Sequence, residues 1–94
     1  MKRKLLGAAL AIVAVSVPAF AAPMNFETLS TVSKLAYDDF AAANPDHVVH
    51  FNGFKAWPSG DDGRVKIYVN HDGMAMEFNY NCHVHEEGAE CHRQ

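Results

Sequence analysis

Side chains capable of chemistry are concentrated near the C-terminus of the chain. Cys82 and Cys91 enclose eight residues, and His83, His85 and His92 lie within or beside that segment. Thiols and imidazoles form disulfides, bind transition metals and take part in redox catalysis. The spacing of these five residues therefore admits several interpretations, each with its own chemistry.

An intramolecular disulfide is the first interpretation. Cys82 and Cys91 are the two cysteines of the chain, and an oxidising compartment would pair them. Closing a loop of this size stabilises a fold by roughly 2–3 kcal/mol in the chain-entropy model. Thiol oxidoreductases favour C-x-x-C, so the wider spacing indicates a structural bridge rather than a redox centre.

A transition-metal site is the second interpretation. His83 and His85 alternate with Val84 on a predicted strand, so both imidazoles leave the same face, and a disulfide would bring His92 back toward them. Three imidazoles suit Zn²⁺, Cu²⁺ or Ni²⁺. Nearby carboxylates are Glu86, Glu87 and Glu90. The plainer alternative is that these side chains form the solvated end of an acidic domain.

A mixed thiolate and imidazole site is a further interpretation, but it requires reduced cysteines, which an oxidising compartment opposes. The remaining histidines do not enlarge the site. His47 and His50 fall on a predicted strand, where a spacing of three sends them to opposite sides. His71 is predicted to be a turn residue. Met74 and Met76 are two residues apart on the inward face of a predicted strand, so we expect them to pack in the core rather than to form a thioether copper site.

The N-terminus predicts export. Lys2, Arg3 and Lys4 precede an apolar run of 13 residues, Leu5 to Val17, and a small-residue site that ends at Ala21. This order is typical of a Sec signal peptide, and the run is shorter than the roughly 20 residues of a membrane-spanning helix. We expect a signal peptide over residues 1–21, a mature domain over residues 22–94, and a periplasmic or secreted location without a membrane anchor.

The net charge of the expected mature chain excludes some partners. Three of the eight basic residues, but none of the eleven acidic ones, lie in the signal peptide, which leaves a net charge of −6. Nucleic acids carry charge of the same sign, so we expect no nucleic-acid partner. A domain this small buries only about 60% of its unfolded surface, which makes a covalent or metal crosslink useful.

The positions of apolar residues predict a two-layer α+β domain. A helical spacing from Asn25 to Ala43 gives an amphipathic helix with Asn25 as its N-cap. Alternation then predicts three antiparallel strands, joined by turns at residues 58–63 and at 71–73, with a loop after Glu86. The first strand spans residues 47–57, with a bulge at Asn52 and Gly53. The predicted core consists of Phe26, Leu29, Val32, Ala36, Phe40, Val49, Phe51, Val65, Ile67, Val69, Met76, Phe78 and Tyr80.

One family resemblance follows from this layout. Phe40, the segment from Asn44 to Val49 and the hairpin at Asp72 and Gly73 resemble small exported PepSY-like domains. The resemblance covers residues 26–82. It implies a helix that precedes a short antiparallel sheet, and a binding or inhibitory module rather than an enzyme.

Enzymatic function is not predicted. The serines lack the G-x-S-x-G frame of a nucleophile elbow, and paired carboxylates such as Asp61 and Asp62 lie in a turn rather than in a cleft. We predict a non-enzymatic protein that binds a divalent transition metal. The alternative is a protein-binding or inhibitor-like module with a structural disulfide, which would engage a periplasmic or secreted protein through Phe54, Trp57 and Tyr68. Phe54 and Trp57 could instead close one end of the small core. The sequence predicts no oligomeric state.

Overall fold

The structure, a computed structural model, describes residues 24–94, and the predicted signal peptide lies outside the described residues. Helix α1 spans Phe26–Ala43 and is followed by a 3₁₀ helix, Pro45–His50. Four strands follow: β1 (Phe51–Ser59), β2 (Asp62–His71), β3 (Met74–His85) and β4 (Gly88–Arg93). The predicted α+β class is confirmed.

Helix α1 begins at the predicted cap. The side chain of Asn25 accepts a hydrogen bond of 2.9 Å from the backbone N–H of Thr28, which satisfies a free donor of the first turn. Val32, Ala36 and Phe40 form its fully buried face. Phe26 was predicted to join them, but it is 81% exposed. Met24, just before the helix, folds back into the core instead.

The sheet is antiparallel throughout, with the strands in the order β1-β2-β3-β4. As predicted, Val65, Ile67 and Val69 point into the core, because alternate residues of a strand share a face. The bulge in β1 is also confirmed, since its register with β2 shifts between Phe51 and Gly53.

Close contact between the helix and the sheet depends on Gly63. A Cβ atom at this position would lie 3.2 Å from Cγ2 of Val32 and 3.3 Å from Cε of Met24. The missing side chain therefore lets the first turns of α1 approach β2. Helix α1 packs on one face of the sheet, and the opposite face is the one that carries the outward side chains of β3 and β4.

The predicted three-stranded sheet is wrong, because a fourth strand replaces the predicted loop after Glu86. Strand β4 pairs with β3 through six residue pairs, among them Cys82 with Cys91. Ala89 and Cys91 alternate with the exposed Glu90 and His92 and pack against the core, but two inward residues are too few to predict a strand from alternation alone. Backbone pairing, the disulfide and the guanidinium of Arg93, 4.6 Å above the ring of Phe78, also hold β4 in place.

The predicted first strand is wrong over its first residues, which form the 3₁₀ helix. Pro45 at its start fixes a helical backbone angle, and the chain needs this turn to pass from α1 to β1. Val49 is consequently 82% exposed rather than in the core, and Phe51 is also exposed. His47 and His50, predicted on opposite sides of a strand, both contact His71.

Candidate metal centre

The three predicted histidine ligands lie on one face of the β3–β4 hairpin. His83 pairs with Glu90, His85 with Gly88, and Asn81 with His92. Residues that pair across antiparallel strands, and residues two apart on one strand, share a face of the sheet. His83, His85, Glu90 and His92 therefore leave the sheet on the side away from α1. We call these four residues the histidine face.

The imidazole rings of the histidine face are near neighbours. Ring centroids are 5.4 Å apart for His83 and His92, and 6.1 Å apart for His83 and His85. Two imidazoles on one tetrahedral ion have centroids roughly 5 Å apart, given a metal–nitrogen bond of about 2.0 Å. The separations within the histidine face are thus close to those that a shared ion requires.

Carboxylates contact the ring nitrogens of the histidine face. Glu90 accepts a hydrogen bond of 2.6 Å from Nε2 of His85, and its other oxygen is 3.6 Å from Nε2 of His92. The hydrogen bond from His85, together with the nearby imidazoles, lowers the pKa of Glu90. Glu90 therefore stays anionic between two histidines, where it can compete with a metal or become an additional ligand.

Asp62, which the sequence predicts only as a turn residue, contacts the histidine face. Its carboxylate accepts hydrogen bonds from Nδ1 of His83, at 3.1 Å, and from Nδ2 of Asn81, at 3.2 Å. The hydrogen bond from His83 is the main cause that lowers the pKa of Asp62. A contact through Nδ1 leaves Nε2 of His83 as the nitrogen that can bind a metal, which is the usual role of a carboxylate behind a histidine ligand.

The site is not arranged as a finished metal centre. Among residues 24–94, no group of three or more His, Cys, Asp or Glu side chains converges so that it could hold one ion. Side-chain rotation would be needed to release His85 and His92 from Glu90. Both histidines are exposed, so their rings can rotate without displacing the core.

The predicted disulfide between Cys82 and Cys91 is confirmed, with a sulfur–sulfur distance of 2.09 Å. The two Cα atoms are 4.0 Å apart on directly paired residues, and Cys82 is fully buried beneath α1. With both sulfurs bonded to each other, the structure holds no thiolate for the mixed thiolate and imidazole site. The crosslink joins the strands that carry His83 and His92.

The aromatic residues predicted to bind a protein partner do not form one surface. Phe54 lies on the helix side of the sheet, in a groove that also contains Tyr37 and Phe51. Trp57 lines a different, polar hollow beside Arg64 and Lys66. Tyr68 alternates with Lys66 on the same face of β2. Phe54 therefore lies on one face of the sheet, and Trp57 and Tyr68 lie on the other.

Comparison of the chain with models of protein families, with curated proteins and with solved structures finds no match. The resemblance to PepSY-like domains therefore stays a prediction. Within residues 24–94, no helix combines the length and the apolar character that crossing a bilayer requires. The choice between candidate functions accordingly depends on the chemistry of the described side chains.

Proposed function

We propose that this protein is exported, is not an enzyme, and binds one divalent transition-metal ion through His83, His85 and His92. The observation that supports this most is the strand register, which gathers three imidazoles on one open face. Imidazole nitrogens favour Zn²⁺, Cu²⁺ and Ni²⁺ over hard cations such as Mg²⁺. Binding would exchange the contacts with Glu90 for bonds to the metal.

The surroundings of the three histidines support the same function. Asp62 orients His83 through its Nδ1 atom, as carboxylates commonly do behind zinc ligands. The disulfide keeps β3 and β4 in register below the site. A disulfide is also typical of proteins that work in an oxidising compartment, which fits the export signal predicted from the sequence.

Isothermal titration of Zn²⁺, Cu²⁺ and Ni²⁺ into the oxidised protein tests this proposal. We expect one-to-one binding with a micromolar or lower Kd, and loss of that binding in the His83→Ala, His85→Ala double variant. His92→Ala should also weaken binding, whereas His50→Ala, which removes an imidazole elsewhere, should not. Equal effects of His92→Ala and His50→Ala, or no binding at all, would exclude the histidine face as the site.

A protein-binding module is the second candidate, and one observation favours it. A groove of about 410 Å³ runs between α1 and β1. Phe54, which lines it, is 55% exposed, and exposed aromatic side chains are common anchors in protein interfaces. Metal binding should weaken as the solution is acidified, because imidazole must be neutral to bind a metal. Protein binding through these aromatic side chains should not weaken on acidification.

A further inference from the structure

A second cluster of potential ligands lies at the opposite end of the sheet from the histidine face. A pocket of about 340 Å³ is lined by His47, His71, Asp72, Met74 and Met76. Each of these five side chains has an atom that can bind a metal: two imidazoles, one carboxylate and two thioethers. The proposed function uses none of them.

The backbone brings these residues together by two local structures. Asp72 and Gly73 have positive φ angles of 56° and 81°, as expected for a two-residue hairpin turn, so His71 and Met74 pair directly across it. The 3₁₀ helix then places His47 near them, with its ring centroid 5.9 Å from that of His71.

His47 has a ring nitrogen that makes no hydrogen bond. Its Nδ1 atom is buried and has no hydrogen-bond partner, which is uncommon in folded proteins because a buried unpaired polar atom costs free energy. The pocket that His47 lines also contains the imidazole of His71 and the carboxylate of Asp72. A bound cation would satisfy this nitrogen.

His50 holds His71 in position. The two rings stack with their centroids 3.9 Å apart and their planes at 15°. In stacked parallel rings, the nitrogen lone pairs lie in two parallel planes. The two rings therefore cannot both point a nitrogen at the same ion. We therefore assign His50 a positioning role and not a ligand role.

The two methionines determine which cation the pocket suits. Met76 is partly buried and packs against the core, which fixes its side chain. The prediction that Met74 also packs in the core is wrong, because Met74 is 65% exposed and accessible to an ion from solvent. Thioether sulfur is a soft ligand that selects Cu(I), and imidazole also binds copper. Zinc sites in proteins use thiolate, imidazole and carboxylate rather than thioether.

We infer a second metal site at this pocket, specific for the soft cation Cu(I) and independent of the histidine face. Its ligands are two imidazoles and two thioethers, which belong to His47, His71, Met74 and Met76. The site binds Cu(I) without a change of oxidation state, and the disulfide takes no part. Its existence does not depend on the proposed function.

Competition with a chromophoric Cu(I) chelator, under anaerobic conditions with ascorbate as reductant, tests this site. Ascorbate is chosen because the disulfide must stay intact. We expect one Cu(I) per chain in the oxidised protein. The Met74→Leu, Met76→Leu double variant should bind Cu(I) about tenfold or more weakly, because two of its four ligand atoms are lost. Met24→Leu, a matched change in the core, should bind like the unmodified protein.

Two further measurements separate this site from the histidine face and from misfolding. The His83→Ala, His85→Ala double variant should retain Cu(I), and the ε-methyl NMR signals of Met74 and Met76, but not of Met24, should shift when Cu(I) is added. Cu(I) binding that is lost in the His83→Ala, His85→Ala variant would overturn the inference, as would methyl signals that do not move. A far-ultraviolet circular dichroism spectrum and a thermal unfolding transition like those of the unmodified protein show that the Met74→Leu, Met76→Leu variant folds.

Discussion

At the scale of residues, two carboxylates control the state of the histidine face. Asp62 engages Nδ1 of His83, and Glu90 engages Nε2 of His85. The first contact leaves Nε2 of His83 available to a metal. The second occupies Nε2 of His85, and the other oxygen of Glu90 lies 3.6 Å from Nε2 of His92. Asp62 should therefore promote metal binding, and Glu90 should compete with it until its own oxygen becomes a ligand.

Replacement of Asp62 tests its orienting role. We expect Asp62→Ala to weaken Zn²⁺ binding by about 10- to 100-fold, the usual effect of losing a carboxylate behind a histidine ligand. The adjacent exposed turn residue provides a matched control, because Asp61→Ala removes the same charge from the next position. Titration calorimetry of both variants compares them directly. Equal affinities of the two would show that Asp62 acts only through its charge.

Tyr80 gives a pH-dependent test of the core. It is buried and its hydroxyl donates a hydrogen bond of 2.8 Å to Asp39. Burial, together with this hydrogen bond, raises the pKa of Tyr80 to about 12, above the value of about 10 in an unfolded chain. The resulting stabilisation is fully present below about pH 10 and is lost as the pH rises toward 12.

Urea unfolding at two pH values measures this contribution. Between about pH 9 and about pH 11, we expect the unmodified protein to lose roughly 1 kcal/mol of unfolding free energy through Tyr80. The loss should be smaller in Tyr80→Phe, which has no phenol to ionise. Tyr68→Phe, on the other face of the sheet, should behave like the unmodified protein. A pH dependence shared by all three proteins would contradict this assignment.

At the scale of elements, the disulfide contributes both to the stability of the fold and to the geometry of the site. Strand β4 is short, lies at an edge of the sheet and is covalently attached to β3 through Cys82 and Cys91. It also brings two members of the histidine face, Glu90 and His92, to their partners. Loss of the crosslink should therefore loosen the strand and the site together.

The Cys82→Ala, Cys91→Ala double variant tests this dependence. We expect a loss of about 2–3 kcal/mol in unfolding free energy, because the open chain gains conformational freedom when unfolded. Zn²⁺ affinity should fall as well, since His92 is held less firmly against His83. Chemical denaturation and metal titration of the same sample give both quantities. A variant that is less stable but has unchanged affinity would show that the strand pairing alone positions His92.

The elements that the sequence predicted are those with strong periodic patterns. Helix α1 and strand β2 follow the 3.6- and two-residue spacings of their apolar residues, and the paired cysteines predicted the disulfide. Strand β4 was not predicted in this way, because its alternation consists of only two inward residues, Ala89 and Cys91, which is shorter than a periodic pattern requires. Residues 47–50 resembled the start of a strand through Val48 and Val49 but belong to the 3₁₀ helix, because β-propensity depends strongly on context.

The site was predicted less completely than the fold. Alternation along one strand indicated that His83 and His85 share a face, and the disulfide indicated that His92 returns to it. Asp62 was missed because its contact with His83 depends on the register between β2 and β3, which no local pattern encodes. The cluster around His71 was missed because it requires the 3₁₀ helix.

At the scale of the whole molecule, the sheet separates two groups of ligands. The histidine face lies on the side away from α1, at the end of the sheet near Asp62, and offers imidazoles and carboxylates. The pocket of His47, His71 and the two methionines lies on the helix side, at the end formed by the β2–β3 turn, and offers thioethers as well. Under the two proposals, one small domain would present chemically different sites to borderline and soft cations.

The central claim is that His83, His85 and His92 bind one ion together. Its most direct test is NMR of the histidine ring nitrogens in the ¹⁵N-labelled, oxidised protein during a titration with Zn²⁺. We predict that one nitrogen of each of these three rings shifts and that the change is complete at one equivalent of metal. The rings of His47, His50 and His71 should not respond over the same range. Shifts confined to those other rings, or no shifts at one equivalent, would contradict the claim.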